Sequence, residues 1–365
     1  MDKTLVALGL MSGTSMDGID ASLIRSDGEE NIEIIGNLYN KYDLELKNSL
    51  FEFTNKIKNL EDLKVNLIEY KNLEREITIK HAEITSKLIK KNNIEPDIIG
   101  FHGQTILHNP KEKYSIQMGN AKLLSQLSKT NVVYQFRNKD LENGGEGAPL
   151  TPIYHHYLRK KINLKKPILF LNLGGIANYT FSKENHLSAK DVGPGNCLMD
   201  SYLKKTKNLD FDKNGNLASL GNIDISLINN ILDHQFYNTL ERHSLDIRDY
   251  DINFVKGLSV EDALANLNFF SNKKISENIK KNIDEDFIII LSGGGRKNKT
   301  TVSNLKKLIK NEILDIDNFN IDGDFVESQA FAFLSIRSLY QKNISFPNTT
   351  KVNKPTSGGK LIKYI

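Results

Sequence analysis

The chain has 365 residues, 39% hydrophobic and 26% charged, and 49 Lys and Arg against 45 Asp and Glu leave a net charge of +4. This length and balance describe a soluble globular protein of two intimately packed domains. No arginine-rich arm, basic stripe or zinc-finger spacing favours a nucleic-acid partner. The single Cys197 excludes an internal disulfide framework, and no run approaches the roughly 20 apolar residues of a membrane span, so no membrane partner and a cytoplasmic location are expected.

Residues 4–10 read as a buried strand, 11–18 as a polar, glycine-bearing turn and 19–24 as the returning strand, with a third strand near 32–39 closing a meander. Gly13 and Gly18 let backbone N–H groups approach an anion, and Ser12, Thr14 and Ser15 add hydroxyls. A solvated turn remains the competing reading. Residues 44–91 carry apolar positions at helical spacing, ended by Asn92, Asn93 and Pro96, with His81 as a packing residue. A short buried strand at 97–101 runs into His102, Gly103 and Gln104, at a strand end where open sheets place function. Residues 116–119 form another strand and turn, and a helix over 120–127 follows.

The glycine-rich stretch 144–150 lacks the Gly-Lys-Ser/Thr ending of a Walker loop and reads as a hinge and cleft wall ahead of a helix at 151–158. Residues 168–181 repeat the strand, glycine turn and strand of residues 5–24, now around Gly174 and Gly175. A polar loop then leads to Asp191 beside the Gly193-Pro194-Gly195 bend, with a helix starting at 196. Asp210 to Gly215 is a polar loop without the closing glutamate of a calcium loop. Helices are expected over 227–236 and 260–279, with a polar segment at 243–248 between them. A strand at 287–292 ends in Gly293, Gly294 and Gly295, which permit close backbone approach to a nucleoside or phosphate. A tight strand-to-helix connection is the alternative. A helix follows over 300–308, another surrounds 330–334, and 345–359 is a loop.

Two glycine hairpins in two halves suggest a duplicated α/β design with a polyphosphate held by backbone donors and Mg²⁺. Asp191 is the candidate base, fixed by the adjacent bend, while Asp17 and Asp20 suit the phosphate and metal region through water. No permanent transition-metal spacing is present. Ser15 and Ser292 lack the Gly-x-Ser-x-Gly setting of an acyl nucleophile.

Taken together, GLMSGTSMDGID at 9–20, FHGQT at 101–105, GGEGAPL at 144–150, LNLGGIAN at 171–178, DVGPGN at 191–196 and GGGRKN at 293–298 resemble the anhydro-N-acetylmuramic acid kinase family. The resemblance spans essentially the whole chain in family order. It implies an α/β fold of two related domains, mixed sheets flanked by helices, with the ribonuclease H-like architecture of actin-like ATPases. The expected domains are residues 1–135 with 335–365, and residues 136–334, with the active-site cleft between them.

It further implies a cytoplasmic homodimer acting in cell-wall recycling. The implied substrates are ATP, with Mg²⁺, and 1,6-anhydro-N-acetylmuramic acid. Water opens the anhydro bridge and O6 takes the γ-phosphoryl group. On this reading Asp191 orients and deprotonates the water, and Gly9, Ser12, Gly13, Thr14, Ser15, Asp17, Gly18 and Asp20 hold phosphates and metal. Gly174, Gly175 and Gly293 to Gly295 complete nucleotide binding, and His102, Gln104, Glu146, Gly147, Ala148 and Pro149 line the sugar side. The chain departs from the family pattern at Gln135, where aspartate is common, at 240–244, at 265–268, and at Lys351, where glycine is usual. A kinase for another sugar, and a nucleotide-binding regulatory protein without phosphotransfer, are the alternatives.

Overall fold

Two sheets with the same strand order organise the chain. The computed structural model describes residues 3–233 and 250–365. It divides into one unit of residues 1–163 and 325–365 and a second of residues 164–324. Residues 136–163 and 325–334, expected in the second domain, thus group with the first unit.

In the first unit, β1 (Leu5–Ser12), β2 (Gly18–Ser26) and β3 (Ile32–Lys41) form the antiparallel meander. β4 (Ile98–Asn109) pairs in parallel with β1, and β6 (Asn131–Tyr134) pairs in parallel with β4. β5 (Tyr114–Met118) is a hairpin partner of β4, and β12 (Lys360–Ile362) closes the edge beside β6. In the second unit, β7 (Ile168–Leu173), β8 (Ile176–Lys183) and β9 (His186–Pro194) form another antiparallel meander. β10 (Ile288–Ser292) and β11 (Ile313–Asp315) extend it in parallel. The orders β3-β2-β1-β4-β6 and β9-β8-β7-β10-β11 are the same path. A three-stranded antiparallel meander extended by two parallel strands, present twice, is the ribonuclease H-like arrangement of actin-like ATPases.

The stretch 44–91 is three helices, Leu44–Lys56, Leu60–Val65 and Leu67–Asn92. Asp43 caps the first by accepting from the Leu46 N–H, and Asn59 caps the second, while Asn93 ends the third in the left-handed region. Their apolar faces, with the helix Ala121–Ser128, build the first core against one sheet face: Leu50, Phe53, Ile77, Ile84, Leu88 and Leu124 meet Leu8, Leu10, Ile99 and Phe101. His81 lies in that core and donates from Nδ1 to the Ile77 carbonyl at 2.8 Å. Its Nε2 has no partner, and burial lowers its pKa to about 4, so it is a neutral packing residue.

The helix Val326–Leu339 is buried almost all round and covers strands β1, β2 and β4. It fits because small residues line up beneath it. Ser22, Gly9 and Gly100 are register partners across β2, β1 and β4. Ser22 Oγ lies 2.6 Å from Ser328 Oγ. A Cβ on Gly9 would stand 1.9 Å from the Ser328 carbonyl oxygen, and one on Gly100 2.1 Å from that of Phe331.

The second core joins Leu169, Leu171 and Leu173 to Tyr179, Phe181, Ile289 and Leu305. The expected helices are Cys197–Lys207, Ile225–Leu232, Val260–Asn282 and Lys299–Leu308. The end of the helix expected to 236, the polar segment at 243–248 and the departure at 240–244 lie outside the described residues.

Candidate active site

In the first unit, the β1–β2 turn is built from inside. Ser12 is buried and donates its hydroxyl to Gln104 Oε1 at 2.7 Å, with the Tyr42 hydroxyl at 3.0 Å. Gln104 Nε2 donates to the Gly13 carbonyl at 3.1 Å. Both ends of the Gln104 amide thus grip the turn. Ser12 and Gln104 fix its shape, and Gly13, Thr14 and Ser15 carry its exposed tip. The Asp17 carboxylate takes Lys47 Nζ at 2.5 Å, and its carbonyl accepts the Tyr42 N–H at 2.9 Å. Gly18 opens β2, and Asp20 stands opposite Met11 and Tyr39, two residues into that strand. Gly9 belongs to the contact with the helix Val326–Leu339, which accounts for that glycine.

β4 runs on to Asn109 rather than ending at residue 101, so His102 lies within the strand, with its ring 4.5 Å from that of Phe331. Nδ1 donates to the Gly103 carbonyl at 2.8 Å, which leaves Nε2 to accept from Arg137 Nη2 at 2.8 Å. Burial, then the Arg137 charge, holds its pKa well below the usual value, so the ring is neutral. Arg137 Nη1 donates to the Gly147 carbonyl at 2.8 Å. Burial lowers the Arg137 pKa to about 10, opposed by Glu327 and Asp140, and the guanidinium stays charged at neutral pH.

The loop 144–150 is held by the first unit itself. Asp140, buried, accepts the Gly147 N–H at 2.7 Å and the Thr350 hydroxyl at 2.6 Å. The Glu146 N–H donates to the Thr350 carbonyl and its carboxylate takes Lys351 Nζ, each at 2.6 Å. Ala148 and Pro149, joined by a cis bond, complete the loop. Lys351 has φ 61°, in the left-handed region where a glycine would be unstrained. Gln135 has φ 55°, in the left-handed region that an aspartate tolerates better than a longer side chain.

In the second unit, residues 186–194 form a strand rather than the polar loop expected before Asp191. Ser292, Asn172, Asn178 and Asp191 are register partners in sequence across β10, β7, β8 and β9. They form a polar row on the sheet face opposite Leu171, Leu173 and Tyr179. The register shifts between Ala177 and Asn178, because Gly193 pairs with the first and Asp191 with the second. Val192 is the extra residue, and such a bulge re-aims the side chain next to it.

The Gly174 and Gly175 carbonyls accept the Asn196 and Gly195 N–H groups, each at 2.9 Å. The turn therefore holds the start of the helix Cys197–Lys207 and locks the DVGPGN segment onto the β7–β8 hairpin. Gly293 has φ 77°, and a Cβ there would meet Asn172 Oδ1 at 2.2 Å. Gly295 packs on Leu173, while Gly294 faces open space and is the one of the three with room for a ligand. Arg296, buried behind them, donates to the Asp324 carboxylate at 2.5 Å and to both Asp317 oxygens at 3.0 Å. In the polar loop near 212, Asp212 accepts the Leu217 and Ala218 N–H groups and serves as a turn residue. Among the described residues no group of three His, Cys, Asp or Glu side chains could hold a metal ion.

Sequence reasoning passed over Arg137, Asp140 and Lys47 as site residues. The Phe-Arg pair before the glycine-rich loop was the available signal for Arg137. Nothing local marks Lys47, 30 residues beyond its partner Asp17.

A ribonuclease H-like sheet present twice, with a glycine hairpin in each copy, is the fold class of the actin-like ATPases. The model of the family "Anhydro-N-acetylmuramic acid kinase" matches residues 5–363. The chain belongs to that family. The anhydro-N-acetylmuramic acid kinase of Pelagibacter ubique is 47% identical over 373 residues, covering 100% of both chains. That of Zymomonas mobilis is 37% identical over 99% of this chain and 100% of its own. That of Brucella canis is 36% identical over 98% of each.

Proposed function

We propose that the chain converts 1,6-anhydro-N-acetylmuramic acid, ATP and water to N-acetylmuramic acid 6-phosphate and ADP, within peptidoglycan recycling. Water attacks the anomeric carbon and the C1–O6 bond breaks. O6 takes the γ-phosphoryl group as the bond to the ADP oxygen breaks. Asp191 is the base that accepts the water proton. The observation that carries this reading is the row Asn172–Asn178–Asp191, polar on an apolar sheet and bulged at Val192 beside the hairpin turn. A carboxylate held by a paired strand meets the need for a base of fixed direction.

The exposed tip Gly13 to Ser15, the Gly174–Gly175 turn and the open Gly294 are assigned to the polyphosphate and nucleotide. Ser12, Gln104, Gly9, Gly293 and Gly295 support them from behind. Arg137, with His102 and the loop Glu146 to Pro149, is assigned to the sugar. Mg²⁺ supplies charge neutralisation for the polyphosphate. Asp17, whose carboxylate is also engaged by Lys47, and Asp20 are assigned to it through water.

A homodimer and a cytoplasmic location belong to the same reading. Leu44, Phe51, Val65 and Ile68, all exposed on the first unit's helices, supply apolar surface for a second copy. No helix among the described residues is long and apolar enough to cross a membrane. The reaction is tested by incubating the protein with ATP, Mg²⁺ and the anhydrosugar and weighing the product. A phosphorylated sugar carrying one added water is expected. Phosphorylation with the bridge intact refutes the assignment.

A further inference from the structure

A residue other than glycine seldom takes left-handed backbone. Eleven do so among the described residues. Asn93, Lys129, Asn163, Asn208, Asn320 and Lys351 end helices. Ten of the eleven are Asn, Lys or Gln, and none of the ten is buried. The eleventh is Met16, with φ 54°, which is 5% exposed and belongs to the first core with Leu10, Ile19 and Tyr42. A methionine in this region carries a steric cost, because its Cβ crowds the following carbonyl. Burial of the side chain offsets it.

Met16 stands at the foot of the β1–β2 turn, directly after Thr14 and Ser15. Its N–H donates to the Gly13 carbonyl at 3.1 Å and closes a four-residue turn whose two central residues are exposed. The same carbonyl accepts from Gln104 Nε2 at 3.1 Å. On the far side, the Asp17 carbonyl accepts the Tyr42 N–H at 2.9 Å and the Tyr39 hydroxyl at 3.0 Å. Hydrogen bonds thus hold the turn at Gly13 and at Asp17. Between those points, the side chain sunk in the core is that of Met16. Strained backbone persists where its surroundings over-determine it, and it clusters at ligand clamps. A loose turn must be ordered by its ligand at the moment of binding, whereas an anchored one is ordered beforehand.

We propose that Met16 is a positioning residue for the phosphates of the nucleotide: its buried side chain holds the left-handed bend that presents Thr14 and Ser15 as a preformed cradle. The proposal rests on the assignment of the Gly13 to Ser15 tip to the polyphosphate. Met16 itself touches no ligand. It keeps its N–H on the Gly13 carbonyl, beside the Gln104 amide, and leaves the donors of the apex to the phosphates. A glycine at this position takes the same bend without strain but is free to leave it. A leucine keeps the anchor at similar volume.

The test is calorimetric titration of the full chain with a non-hydrolysable ATP analogue and Mg²⁺, which requires no sugar. Met16→Gly should bind the analogue about tenfold or more weakly than the wild type. It should raise KM for ATP in step, while KM for the anhydrosugar stays within about twofold. Its Tm should move by less than about 5 °C, because lost burial and relieved strain oppose each other. Met16→Leu should restore affinity to within about threefold of the wild type. A role in the core alone gives the opposite split, a lower Tm with unchanged affinity, and that result overturns the proposal. Hydrogen exchange in the wild type supplies a check that depends on no variant. The Met16 N–H should exchange at least about 100-fold more slowly than those of Thr14 and Ser15, and equal rates overturn the proposal. Failure of the wild type to bind the analogue refutes instead the assignment of the tip to phosphate, and the role of Met16 falls with it.

Discussion

Asp191 on β9 stands directly opposite Asn178 on β8, at the point where the register slips by one residue. Asn178 in turn stands opposite Asn172. Such pairs lie on one face with side chains in reach of each other. On the proposed mechanism Asn178 would position the carboxylate. Asn178→Ala should lower kcat by about tenfold or more while KM for ATP changes little. Steady-state kinetics check this, and a loss confined to KM would contradict it.

Arg137 serves His102 Nε2 and the Gly147 carbonyl from two prongs of one guanidinium. A lysine has a single head and cannot reproduce that fork. Arg137→Lys should destabilise the protein by about 1–3 kcal/mol, because one buried acceptor loses its donor. Urea unfolding reads the difference. Equal midpoints and slopes in the two proteins would contradict the assignment.

Buried neutral histidines set the acid limit of stability. Burial lowers His81 to about 4 and His155 to about 3 from an unfolded value of 6.5. The unfolded chain therefore binds more protons than the folded one below about pH 6.5, and stability is present above that pH and lost as it falls. His81 alone accounts for about 1.4 kcal/mol per pH unit between about pH 6.5 and 4. Urea unfolding at pH 7 and pH 5 should show a loss of at least about 2 kcal/mol at the lower pH. Unchanged stability would contradict the buried, neutral state.

Gly9 tests packing against ligand binding. A Cβ at that position would meet the Ser328 carbonyl at 1.9 Å, so the helix Val326–Leu339 must move away. Gly9→Ala should cost about 3 kcal/mol or more, at the upper end of overpacking. Thermal unfolding checks this. A variant with wild-type stability and weakened ATP binding would return Gly9 to the phosphate site.

Much of the fold was legible because the first meander and the β7–β8 hairpin combine apolar runs with glycine turns, and β10 is a bare apolar run. The strand β9 was not, since His186 to Asp191 alternates poorly and is held as a strand by pairing with β8. Sequence pattern also marks a glycine without saying what comes close to it. Gly9 and Gly294 look alike in the chain, yet one is filled by a helix and the other is open. The grouping of His102 with Arg137, 35 residues apart, depends on parallel pairing of β4 with β6, which no local signal encodes. The association of the DVGPGN segment with the hairpin was legible because the two motifs were read as a unit, and the carbonyls of Gly174 and Gly175 supply the physical link.

The central claim, that Asp191 activates water while O6 is phosphorylated, is tested most directly by running the reaction in ¹⁸O-water with the wild type and Asp191→Asn. The wild-type product should carry one ¹⁸O on the sugar at the anomeric position and none in its phosphate, and the variant should be slower by about 10²–10⁴-fold. A phosphorylated product without ¹⁸O on the sugar, or an Asp191→Asn protein at the wild-type rate, would contradict the account.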